Sequence, residues 1–388
     1  MSSSARRRPP YGNHDLANRE NDLDIDYIVI HDTEASYDTT LQLVQDPTYV
    51  SWNYSIRSSD GHVAQHLDAK DVGFHAGNWY VNTHSIGVEH EGFAAQGATW
   101  YTEAMYQSSA KLVGYLAHKY SVKLDRAHII GHDQVPGILP ANVRGMHWDP
   151  GPYWDWEHYM SLVGAPLRRD RREKSNVVTI KPGFDGNQQL VTGCSGSGPC
   201  ASQGTNFVYL HTEPSPASPL VKDAGLHPDG SYSTTDVSDH GARLAAGQKV
   251  VVAQKSGDWL GVSYLGDIGW LYSPKTHPAV LPSGGRTVSA KPGAESVPVY
   301  GRAYPEQAAY DGTAVPYQAV TPLQYTIKAG QKYVLADDHI DTNFYYAKTF
   351  DSSLPDDHTV ITGRDTYYEI WFGHRMFFVR AADVVVDE

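Results

Sequence analysis

The stretch from Gly131 to Pro152 can be neither a regular helix nor a regular strand. Prolines at 136, 140, 150 and 152 each remove a backbone donor and fix φ. The chain must therefore run here as a long shaped loop. Within it lie His132, Asp133, His147, Trp148 and Asp149. Two imidazoles, two carboxylates and an indole in one irregular segment belong to a site more readily than to a connector. Of the 19 histidines, 11 precede residue 150, which directs the search for chemistry to the first part of the chain.

Three buried strands are expected to present residues to this loop. Tyr27-Ile28-Val29-Ile30 is an unbroken β-favouring run, as in a strand covered on both faces, and it leads directly into His31. A polar residue at the carboxyl end of such a strand is where open α/β sheets place ligand sites. A core histidine bonded to a carbonyl would look the same in isolation. Ser85 to Phe93 reads as a second strand, with Glu89 on the face opposite Ile86, Val88 and His90. A carboxylate inside a strand is either solvent-facing or working, and in the second case Glu89 is a candidate general base. Ala127 to His132 is a third short strand ending at a histidine. Asp60-Gly61 between two β-like runs predicts a hairpin. Thr102 caps a helix that runs to Tyr120, with Met105, Leu112, Val113, Leu116 and Tyr120 on its buried stripe. Gly73 to Tyr80, containing His75, Asn78 and Trp79, is too glycine-rich for a helix; its aromatics suit either a sugar- or peptide-binding wall or a cap on the core.

His31, His132 and Asp149 together form the ligand set of a catalytic Zn²⁺ site, which leaves a fourth position open. Zinc lowers the pKa of water towards neutrality. Glu89 would take the proton and return it to a leaving nitrogen, and His147 would steady the oxyanion. The chemistry implied is metal-assisted amide hydrolysis.

Four ordered motifs carry a resemblance. They are Val29-Ile30-His31-Asp32-Thr33, Ser85 to Gly92, Ile130-Gly131-His132-Asp133, and Asp149-Pro150-Gly151-Pro152-Tyr153-Trp154-Asp155-Trp156. Together they resemble the zinc-dependent N-acetylmuramoyl-L-alanine amidases, the family that includes peptidoglycan recognition proteins and phage amidases. The resemblance spans residues 22–165. It implies a mixed sheet with flanking helices, one zinc, and cleavage between the lactyl group of N-acetylmuramic acid and L-alanine. It also implies zinc ligation by His31, His132 and Asp149, catalysis by Glu89, and a cleft position for His75. Two residues depart from the family pattern. His147 stands where lysine is usual, which predicts activity falling more steeply with pH. Trp52 stands where some members have a catalytic tyrosine. A peptidoglycan-binding protein without catalysis and a zinc endopeptidase acting within the stem peptide remain alternatives.

The chain therefore divides into a flexible lead (1–22), a catalytic α/β domain (23–165), a charged linker (166–178) and two β domains (179–278 and 286–388). In the β domains, Ala246-Gly247-Gln248-Lys249 and Ala329-Gly330-Gln331-Lys332 each open a similar series of strands. This repeat predicts two small barrels. They resemble bacterial SH3-like domains, which commonly bind cell-wall peptide. Cys194 and Cys200 flank a Gly/Ser/Pro spacer and are expected to form a local disulfide, worth roughly 2 kcal/mol. A disulfide points to an oxidising compartment, and with the resemblance it implies a protein secreted to the cell wall. No apolar stretch follows Arg6-Arg7-Arg8, so no signal peptide is legible. A net charge of −13 argues against nucleic-acid binding, and no apolar run is long enough to span a membrane. The expected partner is peptidoglycan, bound by a monomer.

Overall fold

The computed structural model describes residues 12–17, 19, 23–169, 175–350 and 357–387. In chain order its first part holds β1 (His14–Asp15), β2 (Tyr27–Asp32), α1 (Tyr37–Val44), β3 (Tyr54–Ile56), β4 (Val63–Gln65), β5 (Val72–Gly73), α2 (Trp79–Thr83), β6 (Ser85–His90), α3 (Gly97–Trp100), α4 (Glu103–Tyr120), β7 (Ile129–Gly131) and α5 (Trp156–Leu162). Five of these strands form one mixed sheet in the order β4-β3-β6-β2-β7. Strand β2 runs parallel to both β6 and β7, and β3 is parallel to β6 but antiparallel to β4. Every residue of β2 and β6 is buried, as the unbroken apolar run of Tyr27 to Ile30 predicts for β2. Thr102 caps α4 by accepting from the Met105 amide at 3.2 Å.

Side chains alternate across the sheet. Ile28, Ile30, Ile86 and Val88 meet Met105, Val113 and Leu116 of α4, with Trp156 and Tyr159 of α5. These helices flank one face of the sheet, and the opposite face is covered differently among the described residues. Helix α2 has five residues, too few to cover the sheet, and the second half of the chain does so instead. Tyr27, Val29, Tyr80, Val81 and Ile130 share a core with Tyr300, Tyr304, Tyr367 and Phe378.

That second half holds β8 (Val177–Ile180), β9 (Phe207–Tyr209), β10 (Arg243–Ala245), β11 (Lys249–Ser256), β12 (Trp259–Tyr264), β13 (Asp267–Tyr272) and β14 (Val280–Pro282). There follow β15 (Thr287–Ala290), β16 (Ser296–Tyr300), β17 (Pro322–Lys328), β18 (Tyr333–Asp337), β19 (Phe344–Ala347), β20 (His358–Ile361), β21 (Tyr367–Trp371), β22 (Met376–Arg380) and β23 (Val384–Asp387). The internal repeat is one of topology. One sheet has the order β13-β12-β11-β8-β14; the other has β22-β21-β18-β15-β23, with β16 and β17 added beyond β22. The two Ala-Gly-Gln-Lys turns need glycine for the same reason, since φ is +88° at Gly247 and +81° at Gly330. The expected barrels, however, are not closed. Both sheets are open among the described residues. Each unit has a core of its own, and further apolar residues are shared between units: Val177, Val251, Val334 and Trp371 pack together with Ala127 of the first domain.

Two further expectations meet the structure. The lead is not uniformly loose, because Arg19 is fully buried and donates to the carbonyls of Ala69 at 2.8 Å and Asn82 at 3.0 Å. Residues 170–174 of the charged linker lie outside the described residues. Cys194 and Cys200 are disulfide-bonded. No helix among the described residues is long and apolar enough to cross a membrane.

Candidate active site

The parallel register sets up the site. His31 lies beside Glu89, and Glu89 beside Ser55, in a row at the carboxyl edge of the sheet. Ile30 lies beside Gly131, so His132 leaves β7 at the same level. The 131–152 loop then returns Asp149 to this edge, where the Asp32 amide donates to Asp149 Oδ2 at 3.1 Å. The Asp149–Pro150 peptide is cis.

His31 Nδ1 and His132 Nδ1 are 3.0 Å apart, too close for both to carry a proton. His31 Nδ1 is 3.5 Å from Asp149 Oδ2, and His132 Nδ1 is 3.1 Å from Asp149 Oδ1. All three residues are buried, and their donor atoms lie within 4.8 Å of one another. The remaining nitrogen of His31, Nε2, is 2.9 Å from His75 Nδ1. Burial first, then His132, holds the His31 pKa down to about 4, so the ring is neutral near pH 7. With its proton on Nε2 towards His75, His31 turns a lone pair on Nδ1 into the site, as a metal ligand requires. Burial works against the Asp149 charge, yet His132, as neighbour and as hydrogen-bond donor, and then His147 hold its carboxyl well below the usual range. The donor set thus fits a divalent metal of zinc type.

His75 is held by a gap in the neighbouring strand. A Cβ on Gly87 would lie 2.8 Å from the His75 ring, so only glycine leaves the ring room to reach His31. Glu89 Oε1 lies 3.8 Å from His31 Nδ1, while its buried Oε2 has no protein partner. Burial, with Asp149 and Asp32 nearby, pushes the Glu89 pKa well above its ordinary value. A carboxyl so placed has high proton affinity and a free oxygen to use it. His147 stands at the rim, its side chain 70% exposed and its ring stacked on His132 at 4.6 Å. Its Nδ1 is 3.5 Å from Asp149 Oδ1, and that carboxylate raises its pKa.

The cleft has a volume of about 190 Å³. His31, His75, Glu89, His132, His147 and Asp149 line it together, and Trp52 forms part of its wall. Trp52 is fixed by donating from Nε1 to Ser55 Oγ at 2.7 Å. Asn78 and Trp79, expected beside substrate, are engaged elsewhere. Asn78 is buried and caps α2, and Trp79 donates to the Tyr345 carbonyl at 2.8 Å. Both face the second half of the chain. Sequence reasoning left Trp148, Glu34 and Tyr49 unassigned, although all three line the cleft. For Trp148 the signal was its place between His147 and Asp149.

Residues 21–152 match the family model described as N-acetylmuramoyl-L-alanine amidase. N-acetylmuramoyl-L-alanine amidase A of Achromobacter lyticus is 31% identical over 155 residues, covering 36% of this chain and 82% of the relative. The 1,6-anhydro-N-acetylmuramyl-L-alanine amidase AmpD of Haemophilus influenzae is 31% identical over 110 residues, covering 27% of this chain and 54% of that relative. Among solved structures, the E. coli amidase AmiD, in complex with anhydro-N-acetylmuramic acid-L-Ala-D-gamma-Glu-L-Lys, is 22% identical with a TM-score of 0.32. The match covers 38% of this chain and 60% of that one.

Proposed function

This chain belongs to the N-acetylmuramoyl-L-alanine amidase family, and from that premise we propose that it is a zinc-dependent peptidoglycan hydrolase. The bond it cleaves is the amide between the lactyl group of N-acetylmuramic acid and L-alanine of the stem peptide. One observation carries this reading: the Nδ1 atoms of His31 and His132 converge on the Asp149 carboxylate, with Glu89 Oε1 3.8 Å from His31 Nδ1.

His31, His132 and Asp149 would hold the metal. Zinc, when bound, supplies Lewis acidity for the amide carbonyl and lowers the pKa of water to near neutrality. Glu89 receives the proton of the attacking water as the C–O bond forms, then returns it to the alanine nitrogen as the C–N bond breaks. The products are a lactyl carboxylate on the glycan and a peptide with a free amino terminus. His147, whose pKa the bond to Asp149 raises, would offer a donor to the developing oxyanion from the open side of the cleft. Trp52 and His75 are not bases here: Trp52 is a wall, and His75 orients His31. The disulfide supports action outside the cell.

Purified peptidoglycan incubated with the protein should release peptides that begin with alanine. Chelation should abolish the release and zinc should restore it. Cleavage that yields only other amino termini would sink the assignment.

A further inference from the structure

The loop that carries His132, His147 and Asp149 is fastened by the far end of the chain. Asp133 follows His132, and its amide donates to the Asp149 carbonyl at 2.7 Å, which links the two ligand-bearing ends of the loop. The side chain of Asp133 is in turn held by His374, whose Nε2 donates to Asp133 Oδ2 at 2.9 Å with both side chains buried. His374 sits in the turn between β21 and β22. Gln248 fixes that turn by donating to the carbonyls of Gly373 at 3.1 Å and His374 at 2.9 Å.

The middle of the loop is held by the same unit. Asn78 Nδ2 bridges the carbonyls of Pro136 at 3.1 Å and Gly301 at 2.8 Å. A Cβ on Gly301 would come within 1.9 Å of the Gly137 carbonyl oxygen, so the two backbones touch there. Val143 is fully buried in a core with Val297, Val299 and Tyr325 of the second β unit.

We propose that His374 is a positioning residue for the metal site. Acting through Asp133, it fixes His132 and Asp149 in ligating geometry, so that the last β unit is a structural part of the catalytic centre. This rests on the metal-site reading above. Partners that orient ligands typically change metal affinity by roughly 10–100-fold when removed.

The test uses the full chain and measures zinc affinity by competition with a chelator. Wild type should bind zinc, His374→Ala should bind it roughly 10–100-fold more weakly, and His374→Gln, which keeps an N–H donor, should recover most of the loss. Tyr80→Phe removes a different bond across the same interface, from Tyr80 to the Asp341 carbonyl. It should lower the melting temperature and leave zinc affinity unchanged. If His374→Ala does not fold, Asp133→Asn should weaken zinc severalfold in a folded protein. A wild-type chain that does not bind zinc refutes the metal site itself. A zinc-binding wild type whose folded His374→Ala and Asp133→Asn variants bind equally tightly overturns the role of His374 alone.

Discussion

Replacing Gly87 with alanine tests whether the metal edge depends on His75. The φ of Gly87 is not in the left-handed range, so the effect is one of space rather than of backbone strain. The added Cβ would lie 2.8 Å from Cγ and Cδ2 of His75 and 3.0 Å from its Nδ1. Ordinary carbon contacts begin at about 3.5 Å, so the ring must retreat by roughly 0.7 Å. An aromatic ring has no flexible end to give way. A retreat of that size takes the 2.9 Å contact to His31 Nε2 beyond hydrogen-bond range. Overpacking of this kind costs about 1–3 kcal/mol, and loss of the orienting bond should weaken zinc roughly 10–100-fold. Denaturant unfolding and chelator competition measure the two effects separately. The double variant Gly87→Ala/His75→Ala removes the clash, so it should regain stability without regaining zinc affinity. If Gly87→Ala binds zinc as wild type does, or if the double variant recovers affinity, His75 is not what holds His31.

Glu89→Gln should retain zinc and lose about 10²–10⁴-fold in turnover, since the amide cannot accept the proton; normal wall hydrolysis by this variant would remove Glu89 as the base. His147→Ala should lower kcat while leaving zinc content intact, and His147→Lys should restore it, which steady-state kinetics on a soluble muropeptide will show. The contact between the first domain and β18 should be pH-sensitive. Burial opposes the charge of His128, but bonds from Asp125 and Asp337 outweigh it and push the pKa up to about 10. This raised pKa adds stability in full below the unfolded value of about 6.5 and loses it as pH rises through 10. Between pH 6.5 and 9 the loss is on the order of 3 kcal/mol, and an Asp337→Asn variant should lose much less over the same range in denaturant titrations. Reducing the Cys194–Cys200 disulfide, whose cysteines have a sequence separation of 6, should cost about 2 kcal/mol, seen as a lower denaturant midpoint under reducing conditions.

The sheet edge that carries His31, Glu89 and His132 was legible because its signals are local. A buried apolar run ending in His31, a strand with Glu89 on the face opposite its apolar residues, and prolines that force a loop can each be read within ten residues or so. Chain order then brings them to one edge, because parallel strands align their carboxyl ends. The 131–152 loop was read correctly as irregular, but what holds it was not visible. His374 is a lone histidine in a β-turn, 241 residues from Asp133, and no periodicity announces such a contact. The surroundings of Asn78 and Trp79 were open in the sequence for a related reason. A glycine-rich aromatic stretch looks the same whether its rings meet a sugar or another part of the same chain. The Ala-Gly-Gln-Lys repeat disclosed strand order, because its turns are local, but barrel closure depends on what covers each sheet. Here part of the apolar surface of the β units serves the first domain and one another.

The most direct measurement is digestion of purified peptidoglycan in ¹⁸O-labelled water, followed by mass spectrometry of the products. Amidase action predicts one ¹⁸O in the new lactyl carboxylate of the glycan, none in the released peptide, and alanine at the peptide's amino terminus. An intact lactyl-alanine linkage, with label in a carboxyl group of the peptide, would contradict the account.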